Sequence, residues 1–114
     1  MNLEMTRGDS KSFLFALDVD LTAAVGVTMT AKAALADADP GVFQKTLGDG
    51  VTVIDEPAGT IQVDVEPGDT SDLDAVTNRL FYDVQVEDVN SKVRTHAHGR
   101  LIVRADVTTT VTGS

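Results

Sequence analysis

The sequence predicts an all-β, antiparallel domain with one sheet face buried and the other solvated, built as a sandwich or a barrel. Three observations predict it. Apolar and polar residues alternate over several short stretches. Turn residues punctuate those stretches at short spacing. No stretch carries a sustained 3.6-residue apolar period. Side chains on a strand alternate faces, so strict alternation marks a half-buried strand, and closely spaced strands mark a sandwich or barrel.

The clearest stretch runs from Leu80 to Val107. Leu80, Tyr82, Val84 and Val86 share one parity, opposite Asp83, Gln85 and Glu87. After a polar break, Val93, Thr95, Ala97, Leu101, Val103, Ala105 and Val107 share one parity, opposite Lys92, Arg94, His96, His98, Arg100 and Arg104. Pairing Val86 with Val93 leaves the loop Asp88 to Ser91, a common hairpin length. Val84 then faces Thr95 and Tyr82 faces Ala97. On the wet face Glu87 meets Lys92, Gln85 meets Arg94 and Asp83 meets His96. Gly99 falls on the inward parity, as a bulge or kink in a long last strand or as the tip of a second hairpin. The long strand is preferred, with its second half pairing elsewhere or forming an edge.

The earlier elements follow the same logic. Phe13, Phe15, Leu17, Val19 and Leu21 alternate with Ser12, Asp18 and Asp20. Val25, Val27, Met29, Ala31 and Ala33 alternate with Thr28, Thr30 and Lys32. Ala34 to Pro40 is looser and holds Asp37 and Asp39. Val42 to Leu47 reads as a short edge strand, Gly48-Asp49-Gly50 as a turn, Val51 to Ile54 as a strand and Glu56 to Gly59 as another turn. Ile61, Val63 and Val65 alternate with Gln62, Asp64 and Glu66 until Pro67-Gly68 ends the strand. Asp69 or Thr70 then caps one helical turn near 70–76, with Asp72 and Asp74 near its positive end and Leu73 facing the core. Residues 1–114 make a single domain, with 1–5 and 109–114 expected as flexible or partner-ordered tails.

Composition narrows the function. Hydrophobic residues are 42% of the 114, but aromatics only 4%. The core is therefore thin and β-branched, and a ring-stacking sugar face is disfavoured. The net charge of −9 repels nucleic acid and anionic membranes and suits docking on a basic partner surface. No apolar run approaches the roughly 20 residues that span a bilayer. There is no cysteine, hence no disulfide framework. The opening MNLEMTRGDSKS has no charged stretch followed by an apolar one, so no signal peptide is expected and synthesis in a cytoplasm is.

Candidate chemistry is sparse. His96 and His98 share a strand face about 7 Å apart, a spacing that serves a metal on an oligomer axis. A tetrahedral zinc site needs three or four ligands, however, and the chain has no other histidine. The plainer reading is a solvated pair, and no cofactor or metal is expected. Arg7-Gly8-Asp9 matches the integrin-binding tripeptide, but reads more plainly as a turn into the Phe13 strand, fixed by Asp9 or Ser10. The pairs Asp18/Asp20 and Asp37/Asp39 and the set Asp69/Asp72/Asp74 offer oxygen ligands but no calcium-loop spacing. No nucleophile motif or phosphate-cradling loop is present, so no enzyme activity is expected.

The order of these signals resembles a known family. The residues that carry it are Gly8-Asp9 with Phe13, the turn Asp20-Leu21-Thr22 and the strand Val27 to Lys32. Gly59 to Val63, Asp69-Thr70, Tyr82 to Val86, Gly99 to Val103 and Asp106-Val107-Thr108 follow. Over about residues 5–108 the chain resembles the small immunoglobulin-like β-sandwich modules of tailed bacteriophages, as found at the N-terminus of siphophage baseplate upper proteins and in related small virion proteins. The resemblance implies an immunoglobulin-like sandwich of about seven to nine strands. It also implies a non-enzymatic structural role in the virion, made in the bacterial host cytoplasm, with other capsid, tail or baseplate proteins as partners. Symmetric homo-oligomers are expected, a trimer by family context. The module stands without the receptor-binding or coiled-coil region that often follows it, so capsid decoration is an expectation beside a tail or baseplate role. The alternative is a carbohydrate- or receptor-binding adhesion module, with Phe43 and Phe81 as its aromatic candidates. The basic cluster Lys92, Arg94, His96, His98, Arg100 and Arg104, set in an acidic chain, is the expected protein-contact surface.

Overall fold

Eight strands and one helical turn account for the computed structural model, which describes residues 2–37, 41–73 and 76–105. In chain order they are β1 (Asn2–Thr6), β2 (Lys11–Ala16), β3 (Ala24–Lys32), β4 (Phe43–Leu47), β5 (Gly50–Asp55), β6 (Thr60–Val65), α1 (Pro67–Thr70), β7 (Thr77–Asp88) and β8 (Val93–Arg104). The all-β class holds. The strands form one hydrogen-bonded sheet in the order β1-β8-β7-β3-β4-β5-β6-β2.

That sheet is folded on itself. β4 and β5 meet only at Thr46–Gly50 and Leu47–Val51, in parallel, around a tight corner. The Asp49 N–H donates to Thr46 O at 2.8 Å and the Gly48 N–H to Val51 O at 3.0 Å. Gly50 holds φ at +99°, and an added Cβ would meet Lys45 Cδ at 2.5 Å. Only glycine fits such a corner. The five strands before it and the three after it bury their inner faces against each other in one hydrophobic cluster. Val27, Met29, Leu80, Val84, Leu101 and Val103 come from one half, and Phe15, Val51, Ile61, Val63 and Val65 from the other. Phe15 and Tyr82 join the halves ring to ring, with centroids 5.8 Å apart.

Several expectations are corrected. Residues 2–5 are no tail: β1 pairs in parallel with β8 from Asn2–Arg100 to Thr6–Arg104, and Leu3 and Met5 are buried. Their alternation with Asn2 and Glu4 is the signal, too short to stand out alone. Residues 109–114, with Asp39, Asp74, Asp106 and Val107, lie outside the described residues. The 13–21 alternation ends as a strand at Ala16, where Asp18 takes φ +56°. Leu17 and Leu21 still reach the core from the loop. Val25 sits at a bulge opposite β7 and is 56% exposed. The helical turn comes earlier than expected. Glu66 is its N-cap, and its carboxylate and that of Asp69 close a reciprocal capping box. Thr70 is fully buried instead of capping, and its Oγ1 accepts the Gly8 N–H at 2.9 Å. Leu73 packs against the core as expected.

The closing hairpin differs in register. Asp88 N–H donates to Lys92 O, and the Asp88 carboxylate accepts the N–H groups of Asn90 and Lys92 at 2.8 and 3.1 Å. Ser91 takes φ +61°. This closes a loop one residue shorter than expected, so Glu87 faces Val93 and Val86 faces Arg94. A one-residue slip turns every side chain over. A bulge at His96 turns them back: Gln85 faces Thr95, while Val84 faces Ala97. Val93 and Thr95 therefore stand exposed, and Ala97, Leu101 and Val103 pack inward. Gly99 continues the strand opposite Tyr82 and is not the bulge. The preferred long last strand holds, and its second half pairs with both β7 and β1.

On the outer face of the smaller half, Asp64 accepts Ser12 Oγ at 2.6 Å and Gln62 Nε2 at 2.9 Å. The Ser12 hydrogen bond, then the Gln62 one, hold its carboxyl below the usual aspartate value. A depressed folded value means that this stabilisation is present above the unfolded value, about 4. It is lost as pH falls through the folded value. Asp64→Asn keeps an acceptor but removes the charge. Its urea midpoint should fall less than the wild type's between about pH 5 and about pH 3. An equal fall in both proteins would refute the assignment.

Candidate functional site

The outer face of β3, β4, β7 and β8 is built in cross-strand rows. Residues directly opposite across neighbouring strands point the same way, so the register places the side chains. Arg100, Phe81 and Lys32 form the first row, His98, Asp83, Thr30 and Gln44 the second, and Thr95, Gln85 and Thr28 the third. These rows line a groove of about 790 Å³, with Leu35 at its rim. Strands alternate Val and Met inward with Thr and charged residues outward, which puts polar groups here. The groove is sunken enough that Thr30, although on the outer face, is 8% exposed. Its hydroxyl accepts Gln44 Nε2 at 3.0 Å, and Gln85 Nε2 donates to Asp83 Oδ2 at 3.3 Å.

The cations stand at one end. The Arg100 guanidinium lies 4.0 Å from the Phe81 ring centroid, a stacking contact worth about 0.5–1 kcal/mol at an exposed site. Lys32 occupies the far side of Phe81, its stem packed so close to Gly41 that a Cβ there would meet Lys32 Cγ at 2.6 Å. Arg100 thus packs on Phe81, and the Lys32 stem on Gly41.

Of the six basic residues singled out by sequence, the groove brings together two, His98 and Arg100. Lys92 belongs to the hairpin turn, Arg94 stands opposite Val86 on the other parity, and His96 is the bulged residue. Arg104 pairs with Glu4 of β1 at 3.1 Å, a partner that the tail expectation concealed. The expected pairings of Lys92, Arg94 and His96 with Glu87, Gln85 and Asp83 are replaced by the shifted register. Lys32, Gln44 and the threonines of β3 are the groove residues that the sequence reading missed. Lys32 and the threonines alternate with the core residues of β3, and Gln44 joins Thr30 from β4, but only the β3–β7 pairing puts them in rows with β8 residues.

The other candidates resolve into local structure. Arg7 Nη1 donates to Leu73 O at 2.7 Å and the Asp9 N–H to Thr6 O at 3.2 Å. The tripeptide therefore turns β1 into β2, held by Thr70 and Thr6 rather than by Asp9 or Ser10 side chains. Asp20 accepts the Thr22 N–H and hydroxyl, Asp37 the Ala34 N–H, and Asp69 the Glu66 N–H while pairing with Lys45 at 2.7 Å. Their oxygens brace their own turns. Among the described residues no three histidine, aspartate or glutamate side chains converge to hold a metal ion. Among the described residues no helix is long and apolar enough to cross a membrane.

No family model matches the chain, and no curated protein matches it.

Proposed function

We propose that this protein is a non-enzymatic structural component of a bacteriophage particle, docking on other virion proteins as a tail or baseplate module or as a capsid decoration protein. The observation that carries the docking part is the edge of β8. β1 covers only residues 100–104, and among the described residues no strand pairs with the outer edge of residues 93–99. An open edge presents unpaired backbone groups to another chain. Its bulge at His96 and the flanking charges at Lys92 and Arg94 oppose indiscriminate pairing and leave it to a complementary partner. The virion setting rests on the order of strand and turn signals shared with phage sandwich modules, and the acidic surface suits a basic neighbour. Symmetric homo-oligomers belong to the same reading.

The carbohydrate- or receptor-binding alternative gains no support. It needs an open aromatic face, but Phe43 is 4% exposed and Arg100 covers Phe81. Quantitative mass spectrometry of purified particles of a phage carrying the gene tests the proposal. Hundreds of copies would indicate decoration, and a few to tens a tail or baseplate position. Absence from the particle would overturn the reading.

A further inference from the structure

We infer that the open edge of β8 at residues 93–99 takes an added strand from a partner polypeptide, an extended acidic segment whose Asp or Glu residues, at every second position, face Lys92 and Arg94. The inference rests on the reading of this edge as a docking surface, but not on the partner being a virion protein. Three features support it.

The first is exposure. Ser91 through Thr95 are exposed in unbroken succession, so the start of β8 is uncovered on both faces as well as along its edge. Val93 alone is 53% exposed. β1 runs parallel to β8 and takes the same edge only from Arg100 to Arg104. A strand added opposite residues 93–99 therefore lies end to end with β1, over a length of about 20 Å. The second is charge. Lys92, Arg94, His96, His98 and Arg100 occupy alternate positions, and no Asp or Glu occurs from residue 91 to residue 105. Among the described residues no carboxylate pairs with Lys92, Arg94 or His96. The neighbouring carboxylates of β7 are engaged or face elsewhere. Asp88 accepts the N–H groups of Asn90 and Lys92. Glu87 stands opposite Val93, on the other parity from Arg94, and Asp83 stands opposite His98 in the groove. The third is that a second copy of the chain fits badly. In a regular two-fold antiparallel pairing, even-numbered residues face even-numbered ones. Residues 92, 94, 96, 98 and 100 are all basic, so Arg94 would meet a basic side chain wherever the axis falls between residues 93 and 97. Like charges directly opposite destabilise a pair. A segment with carboxylates at i and i+2 meets Lys92 and Arg94 instead, and a β-branched residue between them covers Val93.

The test is to titrate the isotope-labelled full chain with the synthetic peptide Thr-Glu-Val-Glu-Val-Glu-Thr and follow the backbone amide resonances. Those of Val93 to Gly99 should shift and exchange more slowly, while those of Lys32 and Phe81 stay in place. A peptide of the same composition with its glutamates consecutive should bind at least about threefold more weakly, since each exposed cross-strand charge pair is worth up to about fivefold. Full N-methylation of the peptide should abolish binding, because an added strand is held by main-chain hydrogen bonds. Rising salt should weaken it. The wild type should prefer the glutamate peptide to Thr-Lys-Val-Lys-Val-Lys-Thr at these amides, although the chain as a whole is −9. The Lys92→Glu/Arg94→Glu variant should reverse that preference, while the wild-type titration stands independently of how the variant folds. No shift, shifts confined to the groove, equal affinity for the consecutive-glutamate or the lysine peptide, or binding that survives N-methylation would each overturn the inference. So would concentration-dependent shifts of Val93 to Gly99 without peptide, which would make a second copy the occupant. Particle counting is separate: a protein found in virions whose edge fails this titration sinks the inference alone.

Discussion

Gly59→Ala should cost about 3 kcal/mol or more of folding stability. The estimate joins a left-handed backbone penalty of about 1–2 kcal/mol to an overpacking penalty of about 1–3. Gly59 sits at φ +76°, and an added Cβ would lie 2.1 Å from Val19 O and 2.9 Å from Val19 N. Those atoms are backbone and cannot swing aside. They belong to the loop after β2, which Gly59 anchors by accepting the Leu17 N–H at 2.9 Å. Gly8 is the control. It has nearly the same φ, +78°, but nothing within 4 Å of its Cβ position. Gly8→Ala should therefore show the backbone penalty alone, about 1–2 kcal/mol. Urea unfolding of the two variants separates conformational strain from steric clash. Equal losses would show that the approach of Val19 to Gly59 is not tight in solution.

Phe15→Ala should cost about 3–5 kcal/mol, the range for deleting a buried aromatic. Much of the stability of a domain this size is at stake. Phe15 is 2% exposed and comes from the three-strand half, while its ring partner Tyr82 comes from the five-strand half. Between the halves the backbone ladder is only two residue pairs long at β4–β5, so side-chain packing holds the fold shut. A double-mutant cycle with Tyr82→Ala should give a coupling of about 0.5–1.5 kcal/mol beyond area burial. Additive losses in that cycle would mean that the rings are neighbours without a specific interaction.

The docking reading rests on β8. β8 offers backbone along its open edge at residues 93–99 and side chains on its outer face at His98 and Arg100. A partner segment that pairs with the edge would shift the amides of Val93 to Gly99.

The sequence by itself determined what depends on local pattern. Alternation of Val, Leu and Ile with polar residues marked Ile61 to Val65 and Leu80 to Val86 as half-buried strands, because facing is a property of neighbouring residues along the chain. Glycine and proline marked the breaks for the same reason. The tertiary structure decided what depends on which strands meet. One residue fewer in the Asp88–Lys92 loop shifted the hairpin, and the bulge at His96 restored the facing of Ala97 and Leu101. Reading parity along the strand shows neither, since the slip and the bulge cancel at the core. Leu3 and Met5 became a strand only because β8 offered an edge to pair with. The groove exists only because β3 lies beside β7, which puts Lys32 in one row with Arg100 although nearly seventy residues separate them. Hydrogen-bond partners far apart in the chain leave no periodic trace in it, and for that reason the basic cluster was legible while its division among turn, bulge, edge and groove was not.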